Sequence, residues 1–523
     1  MASPALELPL RRAVHKGQLR KDVGRAPLAA LFVAGLACCR PAQTPPPPAD
    51  TLRIALRADV TGFFPGPPLL NEASTLNANR SVYESLVRFD PALRLRPGLA
   101  ERWSNPDDRT YRFELRPGVR FSDGTPLTAR DVAASLEANR RGWVTRDYLQ
   151  AVESVRAIGE REVEIRTRFP YLALLTRLPW APVVPREAVE RGLSPAPGTG
   201  PYRIESWEPG RGYVFTRNPH HDRAVPAFAR VVHTVVPDDA ARMALVERGE
   251  ADAADHVPLE EVERLSRSPA VRVVSGAGLR VLFLGLRVDR PPLSDPRVRE
   301  AIDLAVDRGE LARRALGGRA EPATQLVPPS IVGFDPALRL PPPDPARARA
   351  LLASAGHPHG LDVRLDGPSN RYVNDVAILG ELARQLGEVG VRVAVNAIDK
   401  REFFPLIERG DSAMHLLGWA CESGDAGDVL GSLAHSATGG PLGSLNSLGL
   451  ADRALDELIG DADRARTDRE RARRLRLAVA RVAGLRAALP LVVQTEAVVL
   501  SRRLAWEAPL NMALSPEDLR PAP

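Results

Sequence analysis

The sequence predicts a mixed α/β protein, because alternating apolar patterns typical of strands recur between helical patterns along the chain. Apolar residues occupy alternate positions of Leu52–Leu56, the period of a strand. In the second half, a helical pattern beginning at Asp375 ends at Gly390, and Val391 starts a new alternation. A helix, a glycine and a strand in direct succession are typical of an α/β sheet. The 523 residues, 44% hydrophobic and 26% charged, have the composition of a globular protein.

Local signals place further elements in chain order. The predicted strands are Tyr111–Leu115, Val231–Val236, Val281–Leu286, His415–Trp419 and Leu489–Val493. Helices are predicted to begin at Thr128, Asp238 and Pro296, residues that favour a helix N-terminus. A later helix carries Leu475 and Val479 toward the core, and nine arginines lie between Arg464 and Arg486. Because acidic residues interrupt these arginines, we predict a solvent-exposed helix face rather than a nucleic-acid-binding arm.

The first 39 residues are predicted to be an export signal. A basic stretch precedes the apolar run Ala26–Cys39, which is too short to span a bilayer as a helix. The run ends in Leu-Ala-Cys-Cys and resembles the lipobox of bacterial lipoproteins, so Cys39 or Cys38 is the candidate lipidation site. The alternative is an ordinary cleaved signal with an incidental cysteine pair. Residues 40–50 contain four consecutive prolines and predict a stiff spacer between the membrane and the folded body.

Composition and motifs exclude several function classes. Three cysteines cannot build a disulfide framework or a Cys-rich zinc site. Four of the six net positive charges fall within the first 38 residues, so the body has no charge footprint for nucleic acid. The sequence contains no P-loop, GxSxG or HExxH motif, and we predict no metal, cofactor or enzyme activity. We expect the histidines of His220–His221 and His357–His359 to be loop residues, and Cys421 to be a buried structural thiol.

Four segments together are distinctive. They are Leu99–Leu136, Gly198–Asn218, Val235–Asp255 and Pro292–Asp307. In their sequence, order and spacing the chain resembles family 5 of the extracellular solute-binding proteins, the dipeptide and oligopeptide receptors of bacterial ABC importers. The resemblance runs from about Leu52 to Asp518, nearly the whole exported chain.

The resemblance implies a two-lobed periplasmic-binding-protein fold with mixed sheets, a hinge and an extra subdomain in lobe one. Lobe one is expected over residues 51–279 and lobe two over 280–488, with 489–523 returning to lobe one. The chain is expected to cross between lobes near Gly278–Gly285 and again near Leu489–Gln494. A ligand would bind between the lobes, which close on it by a hinge motion.

The resemblance also implies where a ligand would bind. Peptide-binding relatives carry an acidic residue three positions after a tryptophan at the end of a strand, where it pairs with the ligand's α-ammonium. Here the tryptophan is Trp419 and the acidic residue is Glu422, which is either this anchor or a solvated loop carboxylate. Trp419 is either a pocket wall or core packing. Arg371 either meets a ligand carboxylate bidentately or is a surface arginine.

Three further positions are weaker candidates. Phe63 and Phe64 follow the first strand, where family members contact ligand; they either form a side-chain pocket or plug the core of the lobe. Asn446 precedes a helix start and is either a structural loop residue or a ligand contact.

Together with the lipobox-like run, the resemblance predicts a monomeric receptor, periplasmic or on the outer face of the cytoplasmic membrane, that is held there by a lipid. Its partners would be a peptide or related small solute and the permease of an ABC importer. The alternative is a surface lipoprotein that senses or chaperones peptides without transport. A nickel-chelate receptor is a variant of the first hypothesis, and a secreted hydrolase would need a catalytic set that the motif search does not supply.

Overall fold

A computed structural model describes residues 50–64, 73–142, 148–440 and 442–523. The lipidation candidates Cys38 and Cys39, the signal over residues 1–39 and nearly all of the 40–50 spacer lie outside these ranges.

The described residues form strands and helices in an alternating order. The strands are β1 (Thr51–Leu56), β2 (Val87–Phe89), β3 (Leu95–Pro97), β4 (Ala100–Asp107), β5 (Thr110–Leu115), β6 (Val152–Ala157), β7 (Glu162–Thr167), β8 (Tyr202–Glu208), β9 (Gly212–Arg217), β10 (Arg230–Val235), β11 (Ala253–Ala254), β12 (Val271–Leu286), β13 (Glu321–Pro322), β14 (Leu361–Pro368), β15 (Val391–Ile398), β16 (Met414–Ala420), β17 (Ala488–Ser501), β18 (Leu504–Ala505) and β19 (Arg520–Pro521). The α-helices are α1 (Ala73–Arg80), α2 (Ala129–Gly142), α3 (Leu174–Arg177), α4 (Arg186–Arg191), α5 (Asp239–Glu247), α6 (Leu259–Ser266), α7 (Pro296–Ala305), α8 (Arg308–Leu316), α9 (Pro345–Ser354), α10 (Asp375–Glu388), α11 (Lys400–Glu408), α12 (Gly427–Val429), α13 (Arg453–Asp463) and α14 (Asp468–Leu485). Within these ranges, no helix is long and apolar enough to cross a membrane.

A large mixed sheet runs through the molecule in the order β15-β14-β16-β12-β17-β11-β1-β10-β9-β8, and β13 also pairs with β17. Its two long central strands, β12 and β17, are antiparallel, and their pairing is interrupted between Ala277 and Val281. This break divides the sheet. We call the part with β1 and β8–β11 half-sheet one, and the part with β13–β16 half-sheet two. The break is the place where β12 and β17 pass from one half to the other.

Each half-sheet buries apolar side chains on both faces, because successive strand residues point to opposite sides. In half-sheet two, Leu282 and Leu284 of β12 lie in one core cluster with α7 and α10, whereas Phe283 lies in another with α13 and α14. In half-sheet one, the neighbouring residues Ile54 and Ala55 of β1 likewise lie in two different core clusters, one on each face. A sheet covered on both faces explains why its strands appear in the sequence as nearly continuous apolar runs.

A separate four-stranded antiparallel sheet, in the order β4-β5-β7-β6, packs with α2 and α3 around its own core. We call this part of the chain the small-sheet unit. Phe113, Val163 and Leu174 are among its fully buried residues. This additional sheet, with a core of its own, confirms the mixed α/β class that the sequence predicts.

Most of the predicted elements are confirmed. Asp238 caps α5 by accepting from the backbone N–H of Ala241, and Gly249 follows that helix at φ +71°. Pro296 opens α7, as predicted, and α10 begins at Asp375. The prediction for β12 was too short, since the strand extends back from Val281 to Val271.

The prediction of a fully solvent-exposed arginine face on α14 is wrong at one position. Arg471 is buried, and its guanidinium binds both carboxylate oxygens of Asp425, at 2.7 and 2.8 Å. It also donates to the backbone oxygen of Ala462 at 2.7 Å. Asp425 also accepts from the backbone N–H of Gly427, so it combines a turn with a buried ion pair.

Candidate functional site

A cavity of about 110 Å³ lies beside the break in the large sheet. Its lining comes from both half-sheets and from the C-terminal segment: Leu56, Asn77, Ala78, Tyr213, Phe215, His233, Asp255, His256, Val257, Leu279, Arg280, Arg371, Val373, Ala420, Glu422, Gln494, Glu496, Ala497, Val498, Asn511, Met512, Ala513, Leu514 and Pro516. Such concave sites, apolar with a few convergent polar groups, are where small ligands bind in proteins.

Glu422 faces this cavity from the loop that follows β16. Burial raises the pKa of its carboxyl, the cations Arg80 and Arg280 oppose that shift, and the nearby Glu496 adds to it. Its Oε2 is shielded from solvent and has no hydrogen-bond partner within the described part of the chain. A shielded carboxylate oxygen without a donor is costly, and a cationic ligand would supply the missing partner.

Two more side-chain oxygens in the lining are also buried without a hydrogen-bond donor. Asn77 of α1 and Gln494 of β17 each present a buried side-chain oxygen for which the described residues provide no donor. Gln494 is only 6% exposed. Buried polar atoms in native proteins are almost always paired. The cavity therefore gathers three unpaired side-chain oxygens from three separate elements.

On the half-sheet-one wall of the cavity, the ionisable side chains are either neutral or paired with neighbouring charges. Burial lowers the pKa of His233 to about 3, so its ring is neutral, and it stacks on Tyr213 with ring centroids 4.1 Å apart. Burial would raise the pKa of Asp255, but the His256 ring, 2.9 Å away, and Arg242 outweigh burial and hold the pKa below its usual range. Asp255 is thus ionised with its own partners.

The opposite wall carries two arginines around one aromatic ring. The guanidinium carbon of Arg280 lies 5.9 Å from the ring centroid of Tyr372, and that of Arg371 lies 5.7 Å from it. The Tyr372 hydroxyl accepts a hydrogen bond from the Gly418 backbone N–H at 2.9 Å. A Cβ at Gly418 would lie 2.9 Å from the Tyr372 ring, so glycine is what allows this approach. Both guanidiniums thus lie near one ring on this wall, and a guanidinium is a suitable partner for a carboxylate.

The predicted site residues do not all meet here. Glu422 and Arg371 line the cavity. Phe63 and Phe64 do not; they are buried in the core of half-sheet one, and Phe63 makes edge contacts with Trp207 at 5.5 Å. Their position is that of a core plug, the second of the two alternatives in the sequence analysis.

Trp419 and Asn446 also lie elsewhere. Trp419 is partly buried against the core cluster of half-sheet two that contains Phe283 and Leu417. The Asn446 side chain closes its own loop by donating to the Leu450 carbonyl at 2.7 Å and accepting from the Leu450 N–H at 3.0 Å. Both positions match the structural alternatives of the sequence analysis.

The Cys421 thiol and a cluster of possible metal ligands both lie in surroundings that favour a structural role. Cys421 is a buried free thiol, as predicted, and burial raises its pKa well above the usual range. Ligand-type atoms of Glu84, His221 and Asp222 lie within 4.8 Å of one another. Arg116, however, binds both carboxylates, at 3.1 and 2.8 Å. Arg223 lies 3.7 Å from Glu84 as well, so two guanidiniums already balance the two carboxylate charges that a metal ion would neutralise.

Sequence reasoning missed Asn77, Gln494, Arg280 and His233. Their signals are single polar residues in apolar surroundings, and such residues are common in any chain. Gln494 interrupts the apolar strand that starts at Leu489, which is the one local hint that a polar side chain is held inside.

Comparisons with known proteins agree on one family. Residues 94–441 match the model of the bacterial extracellular solute-binding proteins, family 5. The glutathione-binding protein GsiB of Shigella flexneri serotype 5b is 27% identical over 422 residues, which cover 77% of this chain and 81% of that protein.

Solved structures of the same fold cover most of the chain. The dipeptide-binding protein of Pseudoalteromonas sp. SM9913, in complex with Met-Leu, matches with a TM-score of 0.81 and 20% identity over 90% of this chain and all of that one. NikA of Brucella suis, in complex with Fe(III)-EDTA, matches with a TM-score of 0.79 and 23% identity over the same shares. The fold is thus the two-lobed fold of the periplasmic binding proteins, and the chain belongs to family 5 of the bacterial extracellular solute-binding proteins.

Proposed function

We propose that this protein is the receptor of an ABC importer and binds a small peptide, or a related solute with a primary ammonium group, in the cavity beside the sheet break. The observation that carries the proposal is the set of three unpaired acceptor atoms in the cavity lining: Glu422 Oε2, Asn77 Oδ1 and Gln494 Oε1. As a member of its family, the protein works outside the cytoplasm.

A primary ammonium suits these acceptors because it carries three N–H donors and a positive charge. Hydrogen bonds to a charged group contribute about 1.5–3 kcal/mol each, more than neutral ones. The cation would also stabilise the ionised form of Glu422, whose pKa burial raises. In this proposal Glu422 provides the charge, and the two amide oxygens fix the orientation.

The other end of a peptide carries a carboxylate, for which Arg280 and Arg371 are the proposed partners. Both line the cavity and both lie against Tyr372.

The hinge is proposed at the sheet break. The pairing of β12 with β17 stops at Ala277 and resumes at Val281, and Val493 and Thr495 are the facing residues on β17. The proposed lobe boundaries therefore follow the sequence prediction, with half-sheet one and the small-sheet unit in lobe one and half-sheet two in lobe two. Lipid attachment at Cys39 or Cys38 would keep this receptor near its permease.

Mass spectrometry of the ligand released by denaturing the purified full chain tests the proposal. We expect peptides or other primary amines from the wild type and a large loss of them from Glu422→Gln. Glu457→Gln, which changes an exposed carboxylate on α13, is the matched control and should retain the ligand. A sugar or a metal chelate would refute the ammonium ligand, and equal retention by Glu422→Gln would refute the role of Glu422.

A further inference from the structure

A buried ionic network joins the small-sheet unit to the loop that carries Glu422. Arg177 ends α3, whose Leu174 belongs to the small-sheet core. Asp428 lies in α12, whose Val429 belongs to a core cluster of half-sheet two. The two side chains are only 5% and 2% exposed, although they belong to separate hydrophobic cores. We call Arg177 and Asp428 the inter-unit pair.

The inter-unit pair is close but incomplete. Arg177 Nη1 lies 3.7 Å from Asp428 Oδ2, about 0.5–1 Å beyond hydrogen-bond distance. Arg177 Nη1 and Asp428 Oδ1 are both buried and have no hydrogen-bond partner among the described residues. The guanidinium also lies over the Tyr148 ring, with its carbon 5.1 Å from the ring centroid.

The loop from Cys421 to Asp428 is rigid on its half-sheet-two side. Arg471 binds Asp425 with two hydrogen bonds, and the Ser423 hydroxyl donates to Asp428 Oδ2 at 3.1 Å. Because Asp425 and Asp428 are fixed in this way, a movement of the small-sheet unit against Asp428 acts on the same short segment that presents Glu422 to the cavity.

Two outer contacts run between the same parts of the molecule. Arg466, just before α14, lies 3.0 Å from Asp108 of the β4–β5 turn, and the Arg464 guanidinium carbon lies 5.6 Å from the Phe169 ring centroid. Since Asp108, Arg464 and Arg466 are exposed, we assign these two contacts little energy. These two contacts show that the small-sheet unit also touches this part of the molecule at the surface. The inter-unit pair is the buried part of the same contact.

We propose that Arg177 is a positioning residue for ligand binding, which holds the small-sheet unit on the Glu422 loop and completes its hydrogen bond to Asp428 as the cleft closes. This inference rests on the proposed function, because it assigns the pair a part in closing that same site. Buried charges without full hydrogen bonding are costly, so a further closure of about 1 Å that joins them favours the closed state.

The test measures opening without any ligand. Spin labels are placed on ketone-bearing residues at positions 153 of β6 and 457 of α13, both exposed in the wild type, so that the cysteines are not labelled. The distance distribution of the full chain is then recorded by pulsed electron spin resonance. Losing a hydrogen bond between charged groups shifts an equilibrium about tenfold or more, so Arg177→Met and Asp428→Asn should each lower the closed-to-open ratio by about that factor. Arg177→Lys should restore part of it.

The control removes a buried ion pair between α7 and α8, two helices that pack on half-sheet two. Arg308 and Asp303 are 2.6 Å apart and similarly buried, so Asp303→Asn should lower stability without changing the distance distribution. Unchanged distributions in both Arg177→Met and Asp428→Asn would overturn the proposal, whatever the ligand is. Failure to find a primary amine by mass spectrometry would instead count against the proposed function alone, because the distance measurement needs no ligand.

Discussion

Replacing Arg471 with methionine should destabilise the protein strongly. Arg471 is buried in the core of half-sheet two, and its guanidinium is the bidentate partner of Asp425. Burial would raise the pKa of Asp425, but Arg471 and Arg177 outweigh burial and hold it below the usual range. Methionine fills much of the same volume but leaves Asp425 buried without that partner.

Breaking a buried ion pair by removing one partner costs about 3–5 kcal/mol. For a folded body of roughly 470 residues, an unfolding entropy of about 2.1 cal/mol/K per residue amounts to about 1 kcal/mol/K. A loss of about 4 kcal/mol therefore lowers the melting temperature by about 4 °C. The unfolding free energy from urea titration, compared at one temperature, gives the more direct value.

Arg473→Met is the matched control, because Arg473 lies on the exposed face of the same helix. It should change the unfolding free energy by less than about 0.5 kcal/mol. The double variant Arg471→Met with Asp425→Asn should recover part of the loss, since the charge without its main partner is then removed. A cost below about 1 kcal/mol for Arg471→Met would refute the reasoning that this pair supports the loop.

Three further predictions follow from pKa shifts and close contacts. Affinity of the wild type for its released cationic ligand, measured by calorimetry, should fall as pH drops through the raised pKa of Glu422, and Glu422→Gln should abolish that pH dependence. Burial, then Asp518, raises the pKa of Glu517 to about 7. The folded state therefore binds the Glu517 proton more tightly than the unfolded state does. This difference stabilises the fold at low pH, and the stabilisation is lost as pH rises through about 7. Glu517→Gln should therefore flatten the fall of urea-unfolding stability between about pH 4.5 and pH 7, and an unchanged slope would contradict this assignment. Gly418→Ala should cost about 1–3 kcal/mol in thermal unfolding, because its Cβ would lie 2.6 Å from a Leu282 methyl, whereas Gly484→Ala on α14 has open space and should cost nothing.

Periodicity and helix caps predicted the α/β class because both depend on residues near in sequence. The extent of β12 could not be predicted in the same way. Its first part, from Val271, includes Arg272, Ser275 and Gly276, which are half-buried or exposed and weak as strand formers. That part is a strand because β17 pairs with it, and its partner is more than 200 residues away in sequence.

The burial of Arg471 could have been predicted. It precedes Leu475 by four residues, and Ala478 and Val482 continue the same helical face. An arginine on the core-facing stripe of a helix predicts a buried acidic partner, because an unpaired charge is rarely buried. Asp425 is that partner.

The site residues also include some that the sequence could predict and some that it could not. Glu422 and Arg371 were predicted from the family resemblance, which indicates the position of a residue but not what packs around it. Phe63 and Phe64 follow a strand in the sequence just as pocket residues would, and only the packing of Trp207 and Tyr213 places them in the core. Asn77 and Gln494 lie more than 400 residues apart in sequence, and neither has a local pattern that predicts its place in one cavity.

The loop from Cys421 to Asp428 connects these observations, because its three carboxylates differ in how fully they are paired. Asp425 has a bidentate arginine from α14, and Asp428 has an arginine from the small-sheet unit that stops short of a hydrogen bond. Arg80 and Arg280 lower the pKa of Glu422 by their charge, yet its Oε2 accepts no hydrogen bond from any described residue. One carboxylate thus serves the fold and one serves closure. We infer that the third awaits a ligand cation, whose arrival would join the two sides of the cleft through a segment of eight residues.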